Sequence, residues 1–253
     1  MRILYQFPLS PYCEKARWIL DFKELHYIAQ NLTPGVHRAF TQLKTKQNKL
    51  PILRDGDSWI ADSRHIALYL DDIYPEHRII RPQHDLHDAI LAIDAQANIL
   101  GQHVRRWCLA SLSVQDRYAL EVLLGERGYA RKFSKLTKPI LQKLMQKAFQ
   151  LNADDVQSSK QQMQHIIAQL NAQVEQQGEF LVGGKLSLAD MSVASMLAPL
   201  LQLAETPWEQ AEQQHFSQEF TDYQAQLSEM AIGQYVKNLY QHHRHALVDW
   251  RGV

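Results

Sequence analysis

Apolar positions change their spacing once along the chain. Up to about Pro75, short runs of strand-forming residues alternate with stretches in which apolar residues recur at i, i+3 and i+4. Ile3–Phe7 is the first strand run, ended by Pro8 and Pro11 on either side of Ser10. Tyr12–Lys23 follows with Ala16, Ile19 and Leu20 at helical spacing, Trp18 and Phe22 widening the apolar face, and Ser10 or Pro11 placed to open the helix. His26–Ala29 reads as a second strand, Thr33-Pro34-Gly35 as a turn and Val36–Leu43 as a weak helix. Pro51–Arg54 and Ser58–Ala61 flank Asp55-Gly56-Asp57, a hairpin signal, and Ser63–Ile73 carries Ile66, Ala67, Leu70 and Ile73 on one face. The predicted order is βαβαββα.

Beyond Pro75 the alternation stops. Glu76–His87 is polar, contains Pro82 and reads as a linker. Every later periodic stretch is helical: Ala89–Leu112, Arg117–Gly125 running on to Leu136, Ile140–Leu151, Val156–Gln177, Leu188–Leu203, Ser217–Leu227 and Gly233–Leu247. Pro139, Gly178, Gly183-Gly184 and Pro207 mark the breaks. The expectation is an α/β domain over residues 1–78 followed by an all-α domain over 88–253.

Composition narrows the function classes. In 253 residues, 27 Lys and Arg balance 27 Asp and Glu, so no global field draws the chain to nucleic acid or acidic lipid. Cys13 and Cys108 are too few for a disulfide framework or a four-cysteine zinc site and suit a reducing compartment. His242, His243 and His245 have no acidic or cysteine partner nearby, so no metal is expected. Uncharged Met191–Ala204, broken by Ser192, Ser195 and Pro199, falls short of the ~18–20 residues of a membrane span and reads as a buried core helix. Ile3–Phe7 is too short for the apolar region of a signal peptide, which points to a cytoplasmic protein with no membrane partner. Charge is nevertheless uneven: no acid falls between Leu25 and Arg54, where Arg38, Lys44, Lys46, Lys49 and Arg54 form a basic lobe.

Three segments of the first half carry chemistry. Ser10-Pro11-Tyr12-Cys13 stands at a strand-to-helix turn, where free N–H groups and the helix dipole favour an anion and a hydroxyl or thiol is poised. In Lys49-Leu50-Pro51 the proline opens a strand and leaves Leu50 with free backbone groups at a sheet edge, open to a peptide. Asp62-Ser63 begins the last helix of this half, where Ser and the helix N–H groups can hold a carboxylate and Asp an amine. Together they describe a site for a small anionic peptide with an amino end and a thiol. Tyr5 and Tyr12 are alternative hydroxyls, Arg17 suits an ion pair, and Ser187-x-x-Asp190 is a capping-box variant with a structural role.

In these motifs the chain resembles a cytosolic glutathione transferase. The resemblance rests on Ser10-Pro-Tyr-Cys-Glu-Lys-Ala-Arg17 after the first strand, Lys49-Leu-Pro51, Asp62-Ser63 followed by Ile66-Ala-Leu-Tyr-Leu70, and Ser187-Leu-Ala-Asp190, in the family's order. It implies a thioredoxin-like N-terminal domain followed by an all-helical C-terminal domain. It also implies glutathione as co-substrate, a small hydrophobic electrophile as second partner, detoxifying conjugation and a homodimer. By resemblance Ser10 holds the sulfur of glutathione, Leu50 before a cis Pro51 pairs with its cysteinyl unit, and Asp62 with Ser63 holds its γ-glutamyl end. Lys49 and His37 are candidates for its glycine carboxylate. His103, Arg105 and Trp107, with Asn98, are candidates for the electrophile pocket across the domain cleft. Related cysteine-type enzymes carry Cys where this chain has Ser10; since Ser cannot form a mixed disulfide, a serine-type transferase is expected. Asp62 is one methylene shorter than the more usual Glu. Two rivals stand beside this reading: a glutathione-dependent thiol-disulfide reductase using Cys13, and a non-catalytic binding or regulatory protein of the same fold.

Overall fold

Leu4 and Gln6 point inward from the first strand and are fully buried, the alternation expected of a strand with one face on a core. In the computed structural model, which describes residues 1–32, 37–111, 150–209 and 216–253, this is β1, Arg2–Gln6. It is followed by α1 (Pro11–Phe22), β2 (Ile28–Asn31), α2 (His37–Thr45), β3 (Ile52–Asp55), β4 (Ser58–Ala61) and α3 (Ser63–Ile73). The strand order is β2-β1-β3-β4, with β1 parallel to β2 and antiparallel to β3, and β3 antiparallel to β4. The rest is helical among the described residues: α4 (His84–Ser111), α5 (Ala153–Gln177), α6 (Leu188–Leu201), α7 (Gln218–Glu229) and α8 (Ala231–His243). The fold class and the βαβαββα order agree with the sequence reading. The Thr33-Pro34-Gly35 turn, the helix expected over 117–136 and all but the last two residues of that expected over 140–151 lie outside the described residues; Gln150 and Leu151 are not helical.

Where local chemistry is complete, the boundaries agree closely. Helix α3 spans Ser63–Ile73 as expected, opened by Asp62, whose carboxylate accepts the Arg64 N–H. Helix α6 is buried at every position, the consequence of a stretch apolar on all sides. Its capping box forms as read: Asp190 accepts the Ser187 N–H at 2.6 Å and the Leu181 N–H at 2.8 Å.

Three differences have physical causes. Strand β2 runs on through Gln30 and Asn31 because their polar groups are met by the returning C-terminal segment, where Val253 donates to Ala29 O and accepts from Asn31 N, both at 2.8 Å. Strand β3 lies inside the sheet, so Leu50 is not at a sheet edge; it precedes the first paired residue, Ile52. The Glu76–His87 stretch is pinned rather than loose. Ile79 and Ile80 are buried, their N–H groups bind the Asp71 carboxylate, and α4 already starts at His84.

The two halves meet along α1, which packs on α6 with almost every residue from Pro11 to Asp21 buried. Buried ions key this contact. Glu14 binds Arg17 at 2.7 Å and Arg244, just past α8, at 2.8 Å, while Arg244 also reaches Asp21 at 2.8 Å. The two arginines outweigh the cost of burial and hold the Glu14 carboxyl down to about 2.

Candidate functional site

The antiparallel register brings the three expected segments to one end of the sheet. Tyr5 pairs with Ile52 and Ile52 with Ala61, so the end of β1, the start of β3 and the end of β4 coincide. Ser10 follows the first, Leu50-Pro51 precedes the second, and Asp62-Ser63 follows the third.

Ser10 is the N-cap of α1 with extended backbone (φ −89°, ψ 121°). Its Oγ accepts the Cys13 N–H at 3.4 Å, which leaves its own O–H proton to be donated. The turn before it is fixed by Arg17, which bonds the Pro8 carbonyl at 3.2 Å and Gln6 Oε1 at 2.5 Å. The Leu50–Pro51 peptide is cis, and the Pro51 carbonyl accepts the Asp62 N–H at 3.2 Å. Asp62 is exposed and held at φ 77°, a conformation that costs a residue with a Cβ about 1–3 kcal/mol. Ser63 is buried beside it. Lys49 stands exposed before Leu50, and the His37 ring meets the Phe7 ring edge-on at 4.7 Å, close to the Ser10 turn.

Sequence reasoning missed the group that supports this end of the sheet. Asp94 on α4 is fully buried and takes four side-chain contacts. Lys15 Nζ at 2.8 Å and Ser192 Oγ at 2.6 Å meet Oδ1; Arg64 Nε at 2.5 Å and Asn98 Nδ2 at 3.1 Å meet Oδ2. Burial alone would raise this carboxyl, but Lys15 and the hydrogen bonds outweigh it and hold it below the ordinary carboxylate range. The signal was present in the sequence: Ile90, Asp94, Ala97 and Gly101 share the buried face of α4, and a carboxylate on such a face calls for a partner.

The alternative groups are otherwise engaged. Cys13 is fully buried, its sulfur accepts the Phe7 N–H at 3.4 Å, and burial pushes its thiol pKa up, the reverse of what a thiol-exchange nucleophile needs. Tyr12 donates to the Asn98 carbonyl at 2.7 Å and burial pushes it up to about 12. Tyr5 stacks on Trp59 at 5.6 Å and packs on Phe40.

The residues expected from α4 separate. His103 turns to Ser159 on α5 at 3.3 Å, and Trp107 is buried against Phe220 and Tyr223 of α7. Arg105 alone of the three faces a cavity next to Ser10. At about 100° per residue, positions two apart on a helix point to nearly opposite sides, so the three could not share one pocket. The cavity encloses about 70 Å3, or about 580 Å3 out to its mouth. Leu9 and Pro11, the two neighbours of Ser10, form one wall; Arg105 and Cys108 of α4, Pro199 of α6 and Trp208 form much of the other. Among the described residues no group of three or more His, Cys, Asp or Glu side chains is placed to hold a metal, and no helix is long and apolar enough to cross a membrane.

Comparison with known proteins agrees with this architecture. Residues 4–78 match the glutathione S-transferase N-terminal domain, and residues 134–238 the glutathione S-transferase C-terminal domain. The fold is similar to that of a glutathione S-transferase from Xanthobacter autotrophicus, at 13% identity and a TM-score of 0.64 over 98% of this chain and 97% of that one. It is also similar to a Ceriporiopsis subvermispora glutathione S-transferase solved in complex with glutathione (18% identity, TM-score 0.60, 95% of each chain). A third, from Methylobacterium radiotolerans, was solved with glutathione sulfonate (15% identity, TM-score 0.57, 93% of this chain and 94% of that one). Among curated proteins none matches the sequence significantly. With both domain models matched in order across a mixed four-stranded sheet and a helical second half, the chain belongs to the glutathione S-transferase superfamily.

Proposed function

We propose that the protein is a serine-type glutathione transferase, with residues 1–78 binding glutathione and residues 88–253 supplying the pocket for a hydrophobic electrophile. The observation that carries the reading is the convergence of Ser10, Leu50-Pro51 and Asp62-Ser63 at one end of the sheet, beside a cavity whose wall includes both neighbours of Ser10. In this reading the Ser10 hydroxyl donates to the glutathione sulfur, and the Leu50 backbone pairs with the cysteinyl unit. Asp62 and Ser63 hold the γ-glutamyl end, and Lys49 and His37 lie on the side of the glycine carboxylate. Lys15 and Arg64 position the two helix starts through Asp94. A homodimer belongs to the same reading.

The chemistry is thiolate addition or displacement. A free thiol with pKa about 8.5 is only ~3% ionised at neutral pH. A hydrogen bond to a charged group contributes about 1.5–3 kcal/mol and a helix N-terminus about 0.3–1. At about 1.36 kcal/mol per pKa unit these lower the thiol by roughly one to three units and make the thiolate a major species. Glutathione brings the nucleophile; the protein lowers its proton affinity and orients it.

The test is an ultraviolet titration of the bound thiolate. Wild type is expected to titrate one to three units below free glutathione, and Ser10→Ala to return most of that shift while still binding the tripeptide by calorimetry. A Ser10→Ala profile identical to wild type removes Ser10 from the mechanism. Absence of binding at millimolar glutathione removes the transferase reading and leaves the non-catalytic rival. Loss of turnover in Cys13→Ala with Ser10→Ala intact favours thiol exchange.

A further inference from the structure

The cavity beside Ser10 is apolar over most of its lining, but Arg105 and Gln202 bring polar side chains that carry hydrogen-bond donors. Arg105 brings its guanidinium from α4 to a point 5.9 Å from the centre of the Tyr12 ring. The Tyr12 hydroxyl is already committed to the Asn98 carbonyl. Gln202 stands just past α6 in a left-handed conformation (φ 48°), and its Oε1 accepts from Gln224 Nε2 at 3.0 Å. That bond turns Gln202 Nε2 away as a donor, and this buried nitrogen has no hydrogen-bond partner among the described residues. No Asp or Glu is among the described residues that line the cavity. Burial pulls the Arg105 pKa below its ordinary value, the mark of a cation that has given up hydration.

An entirely apolar guest would leave the buried Gln202 nitrogen still without an acceptor. A planar anion supplies that acceptor and adds charge-assisted hydrogen bonds to the guanidinium. A guanidinium carries five N–H donors in a fixed fork, so it can keep one contact and still serve two oxygens of a ligand. From the pairing of a buried guanidinium with a buried amide donor that has no acceptor, on an otherwise apolar wall, we infer that the acceptor substrate has an apolar body ending in a carboxylate, held by Arg105 and Gln202. This deepens the proposed transferase reading and rests on it for the chemistry, since Leu9 and Pro11 place the same cavity against Ser10.

The experiment compares 4-chloro-3-nitrobenzoate with 4-chloro-3-nitrobenzamide as acceptors. The glutathione thiolate forms the carbon–sulfur bond at the chlorinated carbon, chloride leaves with its electron pair, and the thiol proton goes to solvent. After division by the uncatalysed rates, the benzoate is expected to show roughly tenfold or greater kcat/KM over the benzamide. Arg105→Met is expected to bring that ratio near one, Arg105→Lys to keep part of it, and Gln202→Leu to reduce it. A wild-type ratio of one or less, or a ratio unchanged in Arg105→Met, overturns the inference; if Arg105→Met does not fold, Arg105→Lys and Gln202→Leu decide in its place. Calorimetry with the unreactive 3-nitrobenzoate and 3-nitrobenzamide separates the two proposals. Arg105-dependent preference for the benzoate without any turnover supports the anion site and fails the transferase reading. Turnover with no benzoate preference does the reverse.

Discussion

Replacing Asp94 by Asn keeps the shape of the side chain and removes one acceptor and the charge. Four donors converge on its two oxygens, and one of its two cations, Lys15, is fully buried 2.8 Å away. An amide offers one acceptor oxygen, so whichever way it turns, its NH2 faces either Lys15 and Ser192 or Arg64 and Asn98. Lys15 keeps its burial and loses its counter-charge, a situation that costs about 3–5 kcal/mol. In a chain of this length each kcal/mol moves Tm by about 2–4 °C, so a fall of about 10 °C is expected. Arg64 follows Asp62 and Ser63 directly; it loses its charge partner in either orientation, and where the NH2 faces it, its side chain keeps only the Leu91 carbonyl bond at 2.8 Å. Glutathione affinity should therefore weaken by about tenfold, or about 1.4 kcal/mol. Urea unfolding followed by tryptophan fluorescence measures the first effect and calorimetry the second. A double-mutant cycle with Lys15→Met isolates the pair. A cost under about 1 kcal/mol, or strictly additive single variants, would refute the claim that these groups form one unit.

Other expectations are independent of that pair. Native Cys13 should resist iodoacetamide until the chain is unfolded, and Cys13→Ala should keep glutathione-dependent turnover, because the thiol is fully buried and burial raises its pKa. Glu14→Gln should cost about 3 kcal/mol at neutral pH, from a carboxyl held at about 2 against an ordinary 4.5. A depressed acid stabilises the fold above its unfolded pKa, so the gap from wild type should be full above pH ~4.5 and close as pH falls toward ~2, read from paired denaturation curves; a gap that widens with acid would contradict the assignment. Gly233→Ala should destabilise by about 1–3 kcal/mol despite better helix propensity, because a Cβ there would lie 1.9 Å from the Leu227 carbonyl oxygen; thermal melts settle the sign.

The sequence carried what is local. Helix α3 is bounded by its own cap and period, and the hairpin by Asp55-Gly56-Asp57, so both were legible to the residue or nearly so. What was not legible depends on which elements become neighbours. Leu50 looked like an edge residue because nothing local says that β3 lies between β1 and β4. His103 and Trp107 were grouped with Arg105 by proximity along a helix whose geometry sends them to different neighbours. Arg17 read correctly as an ion pair because Glu14 is on the same helix, three residues away; Asp94 did not, because its partners come from α1, α3 and α6.

That last difference bears on what the buried ions are for. Two motifs of the proposed site each have a cation close behind them: Lys15 one helical turn and a half after Ser10, and Arg64 directly after Asp62-Ser63. Both cations end on Asp94, and Asp94 lies on the helix that carries Arg105 to the cavity. Net stability is a poor explanation for such a cluster, since a well-packed apolar replacement of a buried pair is often neutral or stabilising. Position is a better one. The carboxylate fixes the starts of α1 and α3 against α4, and so fixes where the two ends of a tripeptide would sit relative to the acceptor wall. The two explanations separate in the double variant Lys15→Met with Asp94→Leu. If the cluster serves stability, the double variant should be as damaged as Asp94→Asn. If it serves position, the double variant should recover most of its Tm while glutathione affinity stays low, because nothing in an apolar contact replaces the directional bond to Arg64.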